Sequence, residues 1–211
     1  MIKNVIAFNG SGNINGITNA ILTKMLDGAK SKGAKTELVN LLELDFKGCR
    51  GCLACKKGKG LNTGNCYQKD DLSPYLEKIK SVGAIILGTP IYMESMSAAA
   101  HAFKERLLYP YHVYGPQMTC IPKKIKTGIV YVMGMPKEAY DSEGLMKTAE
   151  MEARLFSNDI GPCKLFHCYG IISKEIQNLP PLSVKQNALR KKVFLEKYGQ
   201  KAFEFGQKLV E

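Results

Sequence analysis

The chain holds 211 residues, 45% of them hydrophobic, and its 30 Lys and Arg against 19 Asp and Glu leave a net charge of +11. That length suits one α/β domain with a sizeable core and room for insertions, and no apolar run approaches the roughly eighteen residues that cross a bilayer. The basic residues are spread along the whole chain without a recognition motif, which speaks against nucleic acid and leaves either a solvated basic surface or attraction to anionic small molecules or an acidic protein.

The chain opens at once into an apolar run at Ile2–Asn9, read as a strand, so no secretory signal is expected and the expected compartment is the cytoplasm. There the seven cysteines stay reduced, which favours metal or redox roles over disulfides. The first helix carries Ile17, Ile21, Leu22, Met25 and Ala29 at helical spacing and ends at Gly33. Thr36–Leu41 reads as the second strand. After a cysteine-rich loop at 46–70, Ser73 is the expected N-cap of the second helix, with Pro74 at its first position. Ala84–Leu87 is the third strand, and Ala99, Phe103 and Leu107 mark the third helix. Gly128–Met133 is the fourth strand, followed by a helix with Leu145, Ala149, Ala153 and Phe156 on one side. Lys164–Tyr169 is the fifth strand. The last helix runs from about Val184 and carries Val193, Ala202, Phe205 and Leu209 among many lysines.

Continuous apolar strands alternating with helices predict an α/β fold: a doubly wound, five-stranded parallel sheet in the order 2-1-3-4-5. Such sheets take ligands at the carboxyl ends of the strands, beside the switch point. No repeat or linker divides the chain, so residues 1–211 are expected to form a single domain. The cysteine loop, Tyr109–Lys124 and Gly170–Ser183 exceed short connections, as functional or interface-forming loops do.

Between the first strand and helix lies Asn9-Gly10-Ser11-Gly12-Asn13-Ile14-Asn15-Gly16-Ile17-Thr18-Asn19. Small, hydrogen-bonding residues aimed at a helix N-terminus suit an anion, because free N–H groups and the helix dipole favour negative charge. No Gly-Lys-Ser/Thr follows, so this is not a Walker loop. The glycine spacing, and the lack of an acid ending the second strand, exclude the dinucleotide fingerprint. A loop without lysine suits a terminal monophosphate held by hydroxyls and amides. The same residues would equally make a glycine-rich turn with Thr18 as a plain N-cap.

The third strand leads into Gly88-Thr89-Pro90-Ile91-Tyr92-Met93-Glu94-Ser95-Met96-Ser97-Ala98. Pro90 stiffens the exit, and Tyr92 and Met93 offer packing surface for a flat heteroaromatic ring that backbone N–H groups could also hold. The alternative is a helix capped by Ser95 or Ser97 with core methionines. In the cysteine loop, Cys49, Cys52 and Cys55 recur every three residues and Cys66 follows, the form of an iron–sulfur run. Lys47, Arg50, Lys56, Lys57 and Lys59 would offset a cluster's negative charge. A four-thiolate zinc site uses the same ligands, and a flexible basic loop with free thiols is the third alternative. Cys120, Cys163 and Cys168 read as small hydrophobes. His101, His112 and His167 read as structural, and no Ser-His-Asp or paired-carboxylate grouping supports hydrolysis.

Three blocks together, N-G-S-G-N-x-N-G-x-T at 9–18, C-R-G-C-x-A-C at 49–55 with Asp70-Asp71 beyond, and G-T-P-I-Y-M-E-S-M-S-A at 88–98, resemble the flavodoxin-like NAD(P)H-dependent FMN reductases, including the iron–sulfur flavoproteins. The likeness covers about residues 1–110 and beyond that mainly the strand–helix order. It implies a flavodoxin-like fold and FMN, with the phosphate over Ser11, Gly12, Asn13, Asn15, Gly16, Ile17, Thr18 and Asn19. The ring would lie against Pro90, Ile91, Tyr92, Met93 and Glu94, and Gly134, in the Met133-Gly134-Met135 loop, would flank its other side. Two departures stand out. Many members carry Pro-Arg where this chain has Gly12-Asn13, and the fourth cysteine of iron–sulfur members usually follows sooner than the ten-residue gap seen here.

The resemblance further implies an oxidoreductase in which NAD(P)H reduces the flavin, which then reduces a quinone, a nitro compound or another flavin. If Cys49, Cys52, Cys55 and Cys66 hold a 4Fe–4S cluster as metal ligands, ferredoxin becomes a candidate donor. A homodimer or homotetramer is expected. The rival class is a flavodoxin-type electron carrier, and the basic charge speaks against it, because such carriers resemble acidic proteins.

Overall fold

A strand buried on both faces needs apolar residues at consecutive positions, and three of the five main strands meet that condition. The computed structural model describes residues 4–57, 63–115, 119–171, 174–181 and 183–211. Ile2 of the predicted first strand, and Gly58, Lys59 and Gly60 in the cysteine loop, lie outside the described residues.

The described elements are β1 (Asn4–Asn9), α1 (Ile17–Ser31), β2 (Lys35–Asn40), α2 (Ser73–Ile79), β3 (Ala84–Tyr92), β4 (Ser95–Met96), α3 (Ala98–Leu108), β5 (Lys126–Val132), α4 (Lys137–Ser142), α5 (Leu145–Asp159), β6 (Cys163–Cys168), α6 (Lys174–Gln177) and α7 (Val184–Val210). β2, β1, β3, β5 and β6 pair in parallel in that order, as predicted for the five main strands, and the two-residue β4 folds back antiparallel on β3. Along each strand, side chains alternate between two cores. Ile6, Phe8, Ile85, Leu87, Ile129 and Tyr131 meet α2, α3 and α5 on one face. Val5, Ala7, Ala84, Ile86, Val130 and Val132 meet α1 and α7 on the other. The fold is thus α/β, flavodoxin-like and doubly wound.

Four local expectations need correction. Strand β3 runs on through Gly88, Thr89 and Pro90 to Tyr92, because its register against β5 continues to Pro90–Val132 and its end pairs with β4. Ser73 does not cap α2; its hydroxyl accepts from Asp70 N at 3.0 Å and donates to Gln68 O at 2.8 Å, bracing the turn before the helix. The short helices α4 and α6 went unpredicted. The buried face of α7 is Phe194, Tyr198, Ala202 and Leu209, so Val193 stands one position off it and Phe205 packs only at its edge.

On β6, His167 lies between the rings of Tyr131 and Tyr169, with centroids 5.4 and 5.7 Å away, and Tyr140 meets it edge-on. Its Nε2 is buried without a partner among the described residues, and burial pushes its pKa down. Burial likewise lowers His101. A histidine whose folded pKa lies below its unfolded value near 6.5 adds stability above that value and loses it as pH falls toward the folded pKa. The melting temperature is therefore expected to drop between pH 7 and pH 5, and to drop less in His167→Phe, as thermal melts of both proteins at the two pH values would show. An equal drop in both would contradict this.

Candidate functional site

The loops that leave β1, β3, β5 and β6 at their carboxyl ends surround one cavity of about 360 Å³, within the size range of small-molecule sites. The first wall is the loop into α1. Asn9 is fully buried at the end of β1; its Oδ1 accepts from Ser11 N at 3.0 Å while its Nδ2 donates to Asn40 Oδ1 at 3.1 Å. Ser11 Oγ then accepts from Asn13 N at 3.2 Å, and Asn13 Oδ1 from Asn15 N at 3.0 Å. These short side-chain-to-backbone turns hold the loop in shape. They deliver it to an α1 whose N-cap, Gly16, provides no side-chain acceptor, with no acid in the first turn. The first-turn N–H groups therefore remain available to an anion. Thr18, buried beside them, has a hydroxyl without a partner among the described residues.

The second wall is the β3–β4 hairpin. Ile91 pairs with Met96 and Tyr92 with Ser95, and the two turn residues Met93 and Glu94 sit at φ +48° and +64°. Left-handed backbone at two consecutive non-glycine positions is costly and persists only where the surroundings enforce it. Here Thr89 Oγ1 accepts from Ser97 N at 3.0 Å, and Ser97 Oγ donates to Gly10 O at 2.6 Å and caps α3 by accepting from Ala100 N at 3.3 Å. Ser97, not Ser95, is therefore the helix cap, and it ties the hairpin to the α1 loop. The hairpin tip stays open: Tyr92 is exposed and Met93 is 96% exposed.

The third wall joins two loops. Gly170 N donates to Met135 O at 2.7 Å. A Cβ at Gly170 would stand 3.0 Å from that oxygen and nearer still to the Gly134 carbonyl, so only glycine allows this backbone approach. Val132, Met133, Gly134, Gly170 and Ile171 line the cavity here, and Arg190 and Phe194 of α7 close it.

Of the predicted residues, Ser11, Asn13, Gly16, Ile17, Thr18, Pro90, Ile91, Tyr92 and Gly134 line this cavity together. Gly12, Asn15, Asn19, Met93 and Glu94 stand outside its lining. Gly170, Ile171, Arg190 and Phe194 were missed. The i, i+4 spacing of Arg190, Phe194, Tyr198 and Ala202 was the available signal for α7.

Cys49, Cys52, Cys55 and Cys66 line a separate, small cavity of about 10 Å³ with Leu53, Arg106 and Tyr109. Among the described residues, no three His, Cys, Asp or Glu side chains are arranged as a metal-ligand set. Cys52 is exposed, and a hydrogen bond from the Ala54 backbone, helped by Arg50, holds its thiol below the ordinary value despite some desolvation. Burial pushes Cys55 up. The fully buried Arg106 donates from Nε to Cys66 Sγ at 3.0 Å and from Nη1 to Lys47 O at 2.8 Å, and it grips both carboxylate oxygens of Asp70. Burial opposes ionisation of Asp70, but the Arg106 guanidinium prevails and holds its carboxyl below the usual range. Of the other thiols, Cys168 is buried and Cys120 and Cys163 half-buried; burial raises Cys163 to about 11 and Cys168 further. His112 pairs with Asp159 at 3.1 Å and His101 meets Ser95 Oγ at 2.8 Å. No helix among the described residues is long and apolar enough to cross a membrane.

The sequence profile of the NADPH-dependent FMN reductases matches residues 3–135. An iron–sulfur flavoprotein of Archaeoglobus fulgidus is 36% identical over 93 residues, which are 44% of this chain and 43% of that protein. One of Methanocaldococcus jannaschii is 31% identical over 102 residues, 48% of this chain and 50% of that protein. The chain thus spans about half the length of the curated relatives it matches. Among solved structures, an NAD(P)H:quinone oxidoreductase from Methanothermobacter marburgensis superposes with a TM-score of 0.73 at 14% identity, covering 99% of this chain and 100% of that one. An FMN-dependent NADH-azoreductase from Bacillus anthracis, in complex with FMN, superposes with a TM-score of 0.66 at 10% identity over 99% and 100% of the two chains. At those identities the likeness speaks to the fold alone.

Proposed function

Because this chain belongs to the NADPH-dependent FMN reductase family, we propose that the cavity at the carboxyl edge of its sheet holds FMN and that the protein passes electrons from NAD(P)H to a quinone, a flavin or a similar small acceptor. One observation supports this reading above others. The α1 loop, the β3–β4 hairpin and the Met133–Gly134 turn, far apart in sequence, line a single cavity to which the α1 loop brings backbone amides and hydroxyls. FMN supplies the hydride and electron chemistry when bound, and the protein positions and tunes it. Ser11, Asn13 and Thr18, with the first-turn amides of α1, bind the phosphate; Gly12, Asn15, Gly16, Ile17 and Asn19 shape that loop. Pro90, Ile91 and Tyr92 support one edge of the ring and Gly134 faces it across the cavity. Met93 and Glu94, exposed at the hairpin tip, turn toward the acceptor or a neighbouring subunit. The whole chain acts as one FMN-binding domain in a cytoplasmic homodimer or homotetramer.

FMN-loaded protein is expected to oxidise NAD(P)H steadily when a quinone is added. No turnover unless a separate reductase is supplied would mark it as an electron carrier instead.

A second reading rests on the four cysteines that share one cavity and on the relatives that bear the name iron–sulfur flavoprotein. Their side chains are not drawn together as a ligand set, so no electron step is assigned to a cluster here. Iron and acid-labile sulfide measured on anaerobically purified protein decide it. About four irons per chain would make ferredoxin a candidate donor, whereas none would leave NAD(P)H and free thiols.

A further inference from the structure

Among the described residues, the proposed FMN cavity has one fully charged side chain in its lining, and it is a cation contributed from the far end of the chain. The loop from Asn9 to Asn19 contains no Lys or Arg. Among the described residues, no acid lines the cavity either, and Arg190 of α7 is the single Lys or Arg that does. Its place there is fixed by its neighbours. Phe194, one turn on, is buried in the core shared with α1. Lys191 Nζ donates to Asn15 O at 3.0 Å, pinning this turn of α7 to the loop that enters α1.

The adjacent cations are engaged: Lys191 with that carbonyl, and Lys192 with Glu196 at 3.9 Å. Arg190 is exposed and has no hydrogen bond or ion pair with any described residue. Its planar fork of N–H donors matches two oxygens of a phosphate. A phosphate monoester near neutral pH carries close to two negative charges, which amides, hydroxyls and a helix dipole offset only in part.

We propose that Arg190 is the cationic contact to the FMN phosphate, supplied by α7 because the loop itself has none. This rests on the FMN reading above. It makes the C-terminal helix part of the cofactor site and gives the protein a preference for FMN over riboflavin, which has the same ring without the phosphate.

The test compares FMN and riboflavin binding, followed by flavin fluorescence quenching, in the unaltered protein, Arg190→Gln and Arg190→Lys. Arg190→Gln is expected to weaken FMN by about tenfold, the scale of one charge-assisted contact, while riboflavin affinity stays put. Arg190→Lys should fall between, keeping the charge and losing the fork. FMN affinity should also depend less on salt in Arg190→Gln. Unchanged FMN affinity, or equal losses for both flavins, would overturn the proposal. So would a rise confined to the KM for NADPH, which would assign Arg190 to the nicotinamide nucleotide. If the unaltered protein binds neither flavin, it is the FMN reading that fails.

Discussion

Gly206→Ala is expected to cost at least about 3 kcal/mol of stability, roughly 6–12 °C in melting temperature for a chain of this size. Helices α1 and α7 cross with their backbones in contact. A Cβ at Gly206 would stand 2.7 Å from the carbonyl carbon of Met25 and closer to its oxygen, and a Cβ at Gly28 would stand 2.8 Å from that of Phe203. The obstacles are main-chain atoms on both sides, so no side-chain rotation relieves them, and the helices must separate. That separation also opens the core of Ile21, Leu22, Met25, Tyr198 and Ala202. Because α1 starts at the proposed phosphate loop and α7 carries Arg190, flavin affinity should fall along with the melting temperature. Gly28→Ala should behave alike. Thermal melts and flavin titrations check both, and an unchanged melting temperature would contradict the close crossing.

Arg106→Met is expected to lose about 3–5 kcal/mol, roughly 6–20 °C. The guanidinium is fully buried and ties α3 to both sides of the cysteine loop, at Lys47 O on one side and at Cys66 Sγ and Asp70 on the other. Methionine fills much of the volume but leaves the Asp70 carboxylate, only 16% exposed, without its partner. Removing one member of a buried pair costs far more than the pair contributes. Cys66 should also react faster with a thiol reagent, since its segment loses the anchor that keeps the sulfur covered. Asp70→Asn should cost less, and its deficit should vanish in acid. Asp70 titrates below its unfolded value, so the pair's contribution is present above that value and lost as pH falls through the folded one. A stable Arg106→Met protein with unreactive Cys66 would contradict this account.

The sheet was legible because its three central strands are buried on both faces: unbroken apolar runs such as Val5–Phe8 and Ile129–Met133 have no other good use in a chain of this length. Much of the site was legible too, since a polar loop after one strand and a Pro-Tyr segment after another must meet wherever those strands are neighbours. Three things were not. The end of β3 was hidden because Gly88, Thr89 and Pro90 break the apolar run, while their pairing with β5 is a tertiary fact. The hairpin turn at Met93-Glu94 lacks the Asn or Gly that would announce a left-handed turn, and distant contacts through Ser97 hold it. The α7 contribution depends on which helix face packs, and although Ala202 and Leu209 were placed on it, the first turns were read at Val193 instead of Phe194. Arg106 was likewise invisible: an arginine in an amphipathic helix reads as solvated until its partners are known.

The central claim, that the carboxyl-edge cavity holds an FMN that a nicotinamide reduces, meets its most direct test in one anaerobic mixing experiment. FMN-loaded protein is combined with NADPH or NADH alone, and the oxidised-flavin absorption is followed. The account predicts that at least one of the two bleaches the bound flavin without any acceptor or second protein. Flavin that stays oxidised with both nucleotides, yet bleaches with dithionite, would contradict it.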